Sequence, residues 1–196
     1  MNVLETRLMG MEEVIRENSR LERLLEFRRR LIYSSRAASV VGRDPTLWNS
    51  SMVIDKGARD GIEVGMPVVN DIGVVGKIAE VGQHKAKVIL VTDPQFSVAA
   101  LVKRPRESGL VTGSLNGLCR MRYLNQETEV RVTDQVMTSK LSSSFPEGLL
   151  IGEVVKVEAD PRSPSTICVI KPAVALSQLE EVLVILTGEN KRSDTW

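Results

Sequence analysis

With 196 residues, 42% hydrophobic and 26% charged, the chain has room for one large or two small domains with real cores and an ordinary globular make-up. A formal net charge of +1 gives no excess of cations to neutralise a phosphate backbone, which argues against a nucleic-acid binder. Aromatic residues are only 4%, so Val, Ile and Leu carry the apolar load, a composition suited to narrow β-cores rather than a deep aromatic pocket.

Residues 4–32 contain no Pro and, apart from Gly10, no Gly; Glu, Arg, Leu and Met dominate, and all are strong helix formers. Leu4, Met11, Asn18, Leu25 and Ile32 recur every seventh position, with Val14 and Leu21 between them, while Leu8, Ile15, Leu24 and Leu31 widen the stripe. A helix of this length reaches about 50 Å, further than a small β-domain can cover, so its apolar stripe needs a partner. A parallel homodimeric coiled coil is the simplest one, and Asn18 is the kind of seam amide that pairs with its own copy. Arg7 and Arg28 fall on the other seam position, so the repeat is imperfect, and a helix folded back on the β-domain and a frayed helix are the alternatives. Arg28, Arg29 and Arg30 sit where the carbonyl dipoles of a helix end favour cations.

After residue 35 the period changes. Short β-branched runs bounded by Gly, Pro, Asn or Asp fall at 38–41, 52–54, 67–69, 73–81, 87–91 and 98–102, and again at 110–112, 118–123, 135–137, 151–157, 165–170 and 182–186. In the stretch 52–69, Asp60-Gly61 and Gly65 punctuate two apolar runs as turn residues do. The charged, Pro- and Gly-containing stretch 103–109 is the expected domain junction. The fold expected is therefore mainly β: a coiled-coil helix (1–35), two small β-barrels of the six-stranded type (36–107 and 108–188), and a polar tail (189–196). The two series also resemble each other. Val75-Gly76-Lys77-Ile78 aligns with Ile151-Gly152-Glu153-Val154, and the run ending Asp93-Pro94 with the one ending Lys171-Pro172, as an old duplication would leave them. Each Gly admits a bend or a neighbouring backbone, as barrel corners require.

No reaction centre is legible. A protease triad needs a His between nucleophile and Asp, and the one His, His84, lies in a polar loop with no serine set in an oxyanion-hole context. One His and two distant Cys offer no metal cluster, and the phosphate-loop echo at 73–78 is short and lacks its Ser or Thr. No catalytic residue, metal or cofactor is expected. Cys119 and Cys168 are too few for a disulfide framework, and buried thiols and a single bridge both remain open. No run of about 18 apolar residues is present.

The ordered set Arg43-Asp44-Pro45, Trp48-Asn49, Ile54-Asp55-Lys56-Gly57, Asp60-Gly61, Gly65-Met66-Pro67-Val68-Val69, Gly73-Val74-Val75-Gly76-Lys77, Thr92-Asp93-Pro94, Phe145-Pro146-Glu147-Gly148 and Lys171-Pro172-Ala173 resembles the extracytoplasmic part of the MreC family of bacterial rod shape-determining proteins. The resemblance implies a non-enzymatic scaffold of the cell-elongation machinery on the periplasmic face of the cytoplasmic membrane. In the family a membrane-spanning helix precedes the heptad segment in which this chain opens, so the chain reads as part of a single-pass membrane protein. Implied partners are a second copy, with higher self-assembly, a class B penicillin-binding transpeptidase, MreD and RodA, and MreB indirectly. The alternative is a periplasmic adaptor or membrane-fusion protein, which also joins a helical stalk to β-domains; a single helix ahead of all the strands counts against it. Two departures stand out: Lys140-Leu141-Ser142-Ser143-Ser144 replaces a Gly-rich loop, and Thr133-Asp134 replaces a common Gly-Asp. Candidate partner contacts are Phe96, Tyr123, Lys140, Leu141 and Phe145, with Trp48 beside them; Phe96 is expected to be the exposed one, because it sits in a turn.

Overall fold

The computed structural model describes the backbone of residues 3–43 and 50–190 and the side chains of residues 7–43 and 50–186. Trp48, the side chain of Leu4 and the last residues of the expected tail lie outside these ranges. Among the described residues one α-helix, α1 (Val3–Arg30), runs into β1 (Tyr33–Arg43), β2 (Ser51–Ile54), β3 (Pro67–Val69), β4 (Val74–Val81), β5 (Ala86–Leu90) and β6 (Ser97–Val102). Then follow β7 (Glu107–Gly113), β8 (Cys119–Asn125), β9 (Gln135–Thr138), β10 (Leu150–Ala159), β11 (Ser165–Pro172) and β12 (Glu181–Asn190). Each of the twelve apolar runs picked out by β-branched patterning is a strand. Between β2 and β3 the Asp60 carboxylate accepts the Gly57 N–H at 3.0 Å, and Gly61 and Gly65 take φ of 81° and 89°, values at which a Cβ clashes.

The strands close into two six-stranded antiparallel barrels, in the orders β1-β12-β3-β4-β5-β2 and β10-β11-β8-β7-β6-β9. This corrects the expected division at residue 107. The stretch 103–106 is a hairpin turn joining β6 to β7, inside the second barrel. Each repeat of the chain contributes its first five strands to one barrel and its sixth to the other: β6 fills the gap between β7 and β9, and β12 the gap between β1 and β3. The expected second subdomain therefore loses β12 to the first barrel and gains β6. The tail is corrected as well, since β12 carries its ladder to Asn190, opposite Tyr33.

The duplication read from the glycines survives in three dimensions. Gly76 on β4 pairs with Leu90 on β5, and Gly152 on β10 with Pro172 on β11. A Cβ at Gly76 would lie 2.0 Å from the Ile89 carbonyl oxygen, and one at Gly152 would lie 2.0 Å from that of Lys171. Only a glycine admits the crossing backbone at these two equivalent corners.

Buried residues of both barrels, from Ala38 to Val184, form one contiguous apolar cluster, so the barrels share a core. Both cysteines are buried, free thiols inside the second barrel. Cys119 lies opposite Ile170 and Cys168 opposite Met121, which makes the two cysteines diagonal neighbours. Such diagonals are about 7–8 Å, beyond the reach of a bridge without backbone movement.

Candidate functional site

Among the described residues two surfaces stand out after the core is filled: the helical stalk and the junction of the barrels. The stalk is two-faced. Leu24, only 7% exposed, packs on Val69, Leu183 and Ile185 of the first barrel, with Phe27, Leu31 and Tyr33 closing over them. Beside this contact Arg20 pairs with Glu180 at 2.8 Å and with Glu181 at 2.7 Å, and Arg23 pairs with Asp71 at 3.2 Å. Burial alone lowers the Arg20 pKa, but its hydrogen bonds to the two glutamates outweigh that and raise it. The last turns of α1 are therefore held to the barrel by an apolar patch rimmed with ion pairs. To that extent the helix folds back on the β-domain.

Leu8, Met11, Val14, Ile15, Leu21 and Leu25, by contrast, are exposed, as are Asn18 on α1 and Ile32 just beyond it. At about 3.6 residues per turn, the centre of this stripe lies roughly 150° around the helix from the face carrying Arg20, Leu24, Phe27 and Leu31. Docking on the barrel thus uses one side of the helix and leaves the seven-residue repeat uncovered on the other.

The second surface is a cleft of about 480 Å³ between the barrels. One wall is built by Val64, Lys77 and Ile89 of the first barrel, the other by Ser97, Leu110 and the 141–145 loop of the second. That loop is ordered by its own serines: the Leu141 N–H donates to Ser139 Oγ at 3.2 Å, and the Phe145 N–H donates to Ser142 Oγ at 3.0 Å. Its far end is anchored by Phe145, whose ring meets that of Phe96 edge to face.

The expected contact residues separate accordingly. Phe96 is 0% exposed and Phe145 is buried apart from the edge that borders the cleft, so neither stands out in solvent; the turn that suggested exposure folds Phe96 into the shared core. Tyr123, at 69%, and Leu141, at 68%, stand out in solvent, and Lys140 is exposed beside Leu141. Tyr123 lies on β8, next to the residue that pairs with Leu110, but is not itself among the residues lining the cleft. The ion pairs of Arg20 and Arg23 and the convergence of Val64, Lys77 and Leu141 escape sequence reading, because their partners lie far apart in the chain and no local period marks them.

His84 is exposed in its loop, and among the described residues no group of three His, Cys, Asp or Glu is placed to hold a metal ion. Burial pushes the Cys119 thiol up to about 12 and, with a smaller contribution from Asp134, the Cys168 thiol up to about 11, the opposite of what a nucleophile needs. No helix among the described residues is long and apolar enough to cross a membrane.

A helical stalk docked on two strand-exchanged six-stranded barrels is the architecture these residues define, and it belongs to a class of cell shape-determining structural proteins. The description "Rod shape-determining protein MreC, barrel core" matches residues 40–186, and the chain belongs to that family of cell shape-determining proteins. The cell shape-determining protein MreC of Listeria monocytogenes is 34% identical over 158 residues, covering 78% of this chain and 54% of that protein. The chain spans about half the length of the curated relatives it matches. A solved structure of MreC superposes with a TM-score of 0.80 at 27% identity, covering 88% of this chain and 98% of that one. The fold is also that of a chain in the complex between penicillin-binding protein 2 and MreC from Helicobacter pylori, with a TM-score of 0.64 at 15% identity over 78% of this chain and 98% of that one.

Proposed function

We propose that this chain is the extracytoplasmic part of a non-enzymatic scaffold that organises peptidoglycan synthesis during cell elongation and so maintains rod shape. It dimerises through the free stripe of α1, with Met11, Val14, Asn18, Leu21 and Leu25 in the seam and Leu4 and Ile32 at its ends, and it binds a class B penicillin-binding transpeptidase through the barrels. MreD and RodA are its membrane neighbours, and MreB acts on it indirectly across the membrane, to which a helix outside this chain anchors it. A scaffold of this kind activates an enzyme only by binding its active arrangement more tightly than its inactive one.

The observation that carries this reading is the two-faced stalk. Apolar residues that remain exposed at heptad spacing after the barrel has taken the other face have a second copy as their simplest cover. Membership of the rod shape-determining family supports the choice of process, and the fold shared with the MreC chain of the Helicobacter pylori complex supports the choice of partner. The test is sedimentation velocity on the chain and on a Met11→Asp, Leu25→Asp double variant. The reading expects a dimer that the double variant turns into a folded monomer, because both side chains are exposed in the single chain. A monomer at all concentrations of the parent chain contradicts it.

A further inference from the structure

We propose that the cleft between the barrels is a docking groove for an extended segment of a partner protein in which carboxylate side chains alternate with apolar ones. The inference deepens the scaffold reading and rests on it for the existence of a partner; its chemistry comes from the cleft alone.

Val64 and Leu141 are exposed by 66% and 68%, and although they belong to different barrels both border this one cleft. Two apolar lips facing one groove offer area that only an occupant removes from water. The same cleft is lined by Lys77, the one charged residue of the lining, its Nζ 5.8 Å from the centroid of the Phe96 ring. No carboxylate pairs with Lys77 among the described residues, whereas Lys56, Lys87 and Lys156 are paired. The face of a buried ring holds the ammonium without neutralising it. Around it, the side-chain amide of Gln95 and the hydroxyls of Ser97, Ser143 and Ser144 line the wall without a hydrogen-bond partner among the described residues. The cleft thus combines one unneutralised cation, unused polar groups, apolar lips and no acid, and the complement of that set is a carboxylate flanked by apolar side chains.

Geometry also fixes how such a segment is held. Both barrels are closed, so among the described residues no barrel edge is left open for an added strand, and recognition falls to side chains. The volume of about 480 Å³ is in the range of small-ligand sites, which suits a few residues of peptide rather than a folded face. The wall loop is held by its own turn bonds before anything binds, so little ordering cost is left for the complex.

The experiment is a two-dimensional NMR titration of the nitrogen-15-labelled chain with the blocked pentapeptide Val-Asp-Leu-Glu-Val, and with its counterpart carrying Asn and Gln for the two acids. The expected result is saturable movement of the Val64, Lys77 and Leu141 amides. Affinity for the carboxamide peptide is expected to be about tenfold lower, the worth of one charge-assisted hydrogen bond. Lys77→Met, which keeps the stem over Phe96, is expected to erase that preference, and Leu141→Asp, at an exposed position, to weaken both peptides in a chain that remains folded. Equal affinity for the two peptides, a preference that survives Lys77→Met, or no saturable movement at these amides overturns the proposal. Movement of the same amides on raising the chain concentration alone assigns the groove to a second copy and also overturns it. No transpeptidase is present in this titration, so its failure is distinct from failure of the scaffold reading.

Discussion

The rings of Phe96 and Phe145 meet edge to face, with centroids 5.9 Å apart and planes at 82°. Phe96 lies on the crossover that carries the chain from the first barrel to the second, and Phe145 on the loop between β9 and β10, so the pair ties crossover and cleft wall to one core. Phe96→Ala is expected to cost about 3–5 kcal/mol, read as a lower urea midpoint, because a fully buried ring leaves a cavity. Leu141→Ala, at the exposed lip of the same loop, is expected to change stability by no more than about 0.5 kcal/mol.

Gly73 marks the contact between the barrels. A Cβ there would lie 2.1 Å from the Leu150 carbonyl oxygen, and backbone on both sides leaves nothing to yield. Gly73→Ala is expected to destabilise the chain by roughly 2 kcal/mol or more, since relief requires the barrels to shift against each other. Gly10 is the contrast: nothing lies within 4 Å of its added Cβ, and it sits inside α1. Gly10→Ala is expected to raise helix stability by about 1 kcal/mol, measured as increased helical circular dichroism on heating.

Thr133 adopts φ of 75°, a conformation that a β-branched residue rarely takes. Its N–H donates to the Val154 carbonyl at 2.7 Å, and the Val154 N–H donates to the Asp134 carbonyl at 2.9 Å, so the ladder imposes the angle. The MreC resemblance expects glycine at this position. Thr133→Gly is therefore expected to stabilise the chain by about 1 kcal/mol, strain relief exceeding the extra backbone entropy that glycine loses on folding. An unchanged thermal midpoint shows that the strain costs nothing measurable.

Arg104 donates to both oxygens of Asp134, at 2.9 and 3.0 Å. These hydrogen bonds are the largest cause holding the Asp134 pKa below its ordinary value; burial opposes them, and the Arg131 N–H adds to them. Only 9% of the carboxylate side chain is exposed. A carboxylate whose pKa is depressed in the folded state contributes stability that is complete above its unfolded pKa and is lost as pH falls through its folded pKa. Arg104→Gln is expected to lower the thermal midpoint at neutral pH. It is also expected to make the fall below about pH 5 shallower than in the parent chain. Parallel midpoint curves from pH 2 to 7 contradict this assignment.

Local patterns announced elements, and long-range pairing stayed silent. The β-branched runs marked every strand, and Gly76 and Gly152 marked equivalent corners, because the constraint on each lies within a few residues of it. The exchange of β6 and β12 did not show, since alternation such as that of Ser97–Val102 suits the edge of either barrel equally. Phe96 was misread for a related reason: a turn predicts exposure of its backbone, while the fate of its ring depends on Phe145, distant in sequence. On α1 the heptad residues were legible, but the docking face was seen only as the flanking Leu24 and Leu31, because its partners Val69, Leu183 and Ile185 come from β3 and β12.

On the function proposed above, this chain works by holding a transpeptidase. The most direct measurement is calorimetric titration of the chain into the extracytoplasmic domain of the class B penicillin-binding transpeptidase from the same cell. Saturable binding that heat-unfolded chain does not reproduce is the predicted result. No heat of binding at several temperatures, from a chain shown to be folded and dimeric, contradicts the claim.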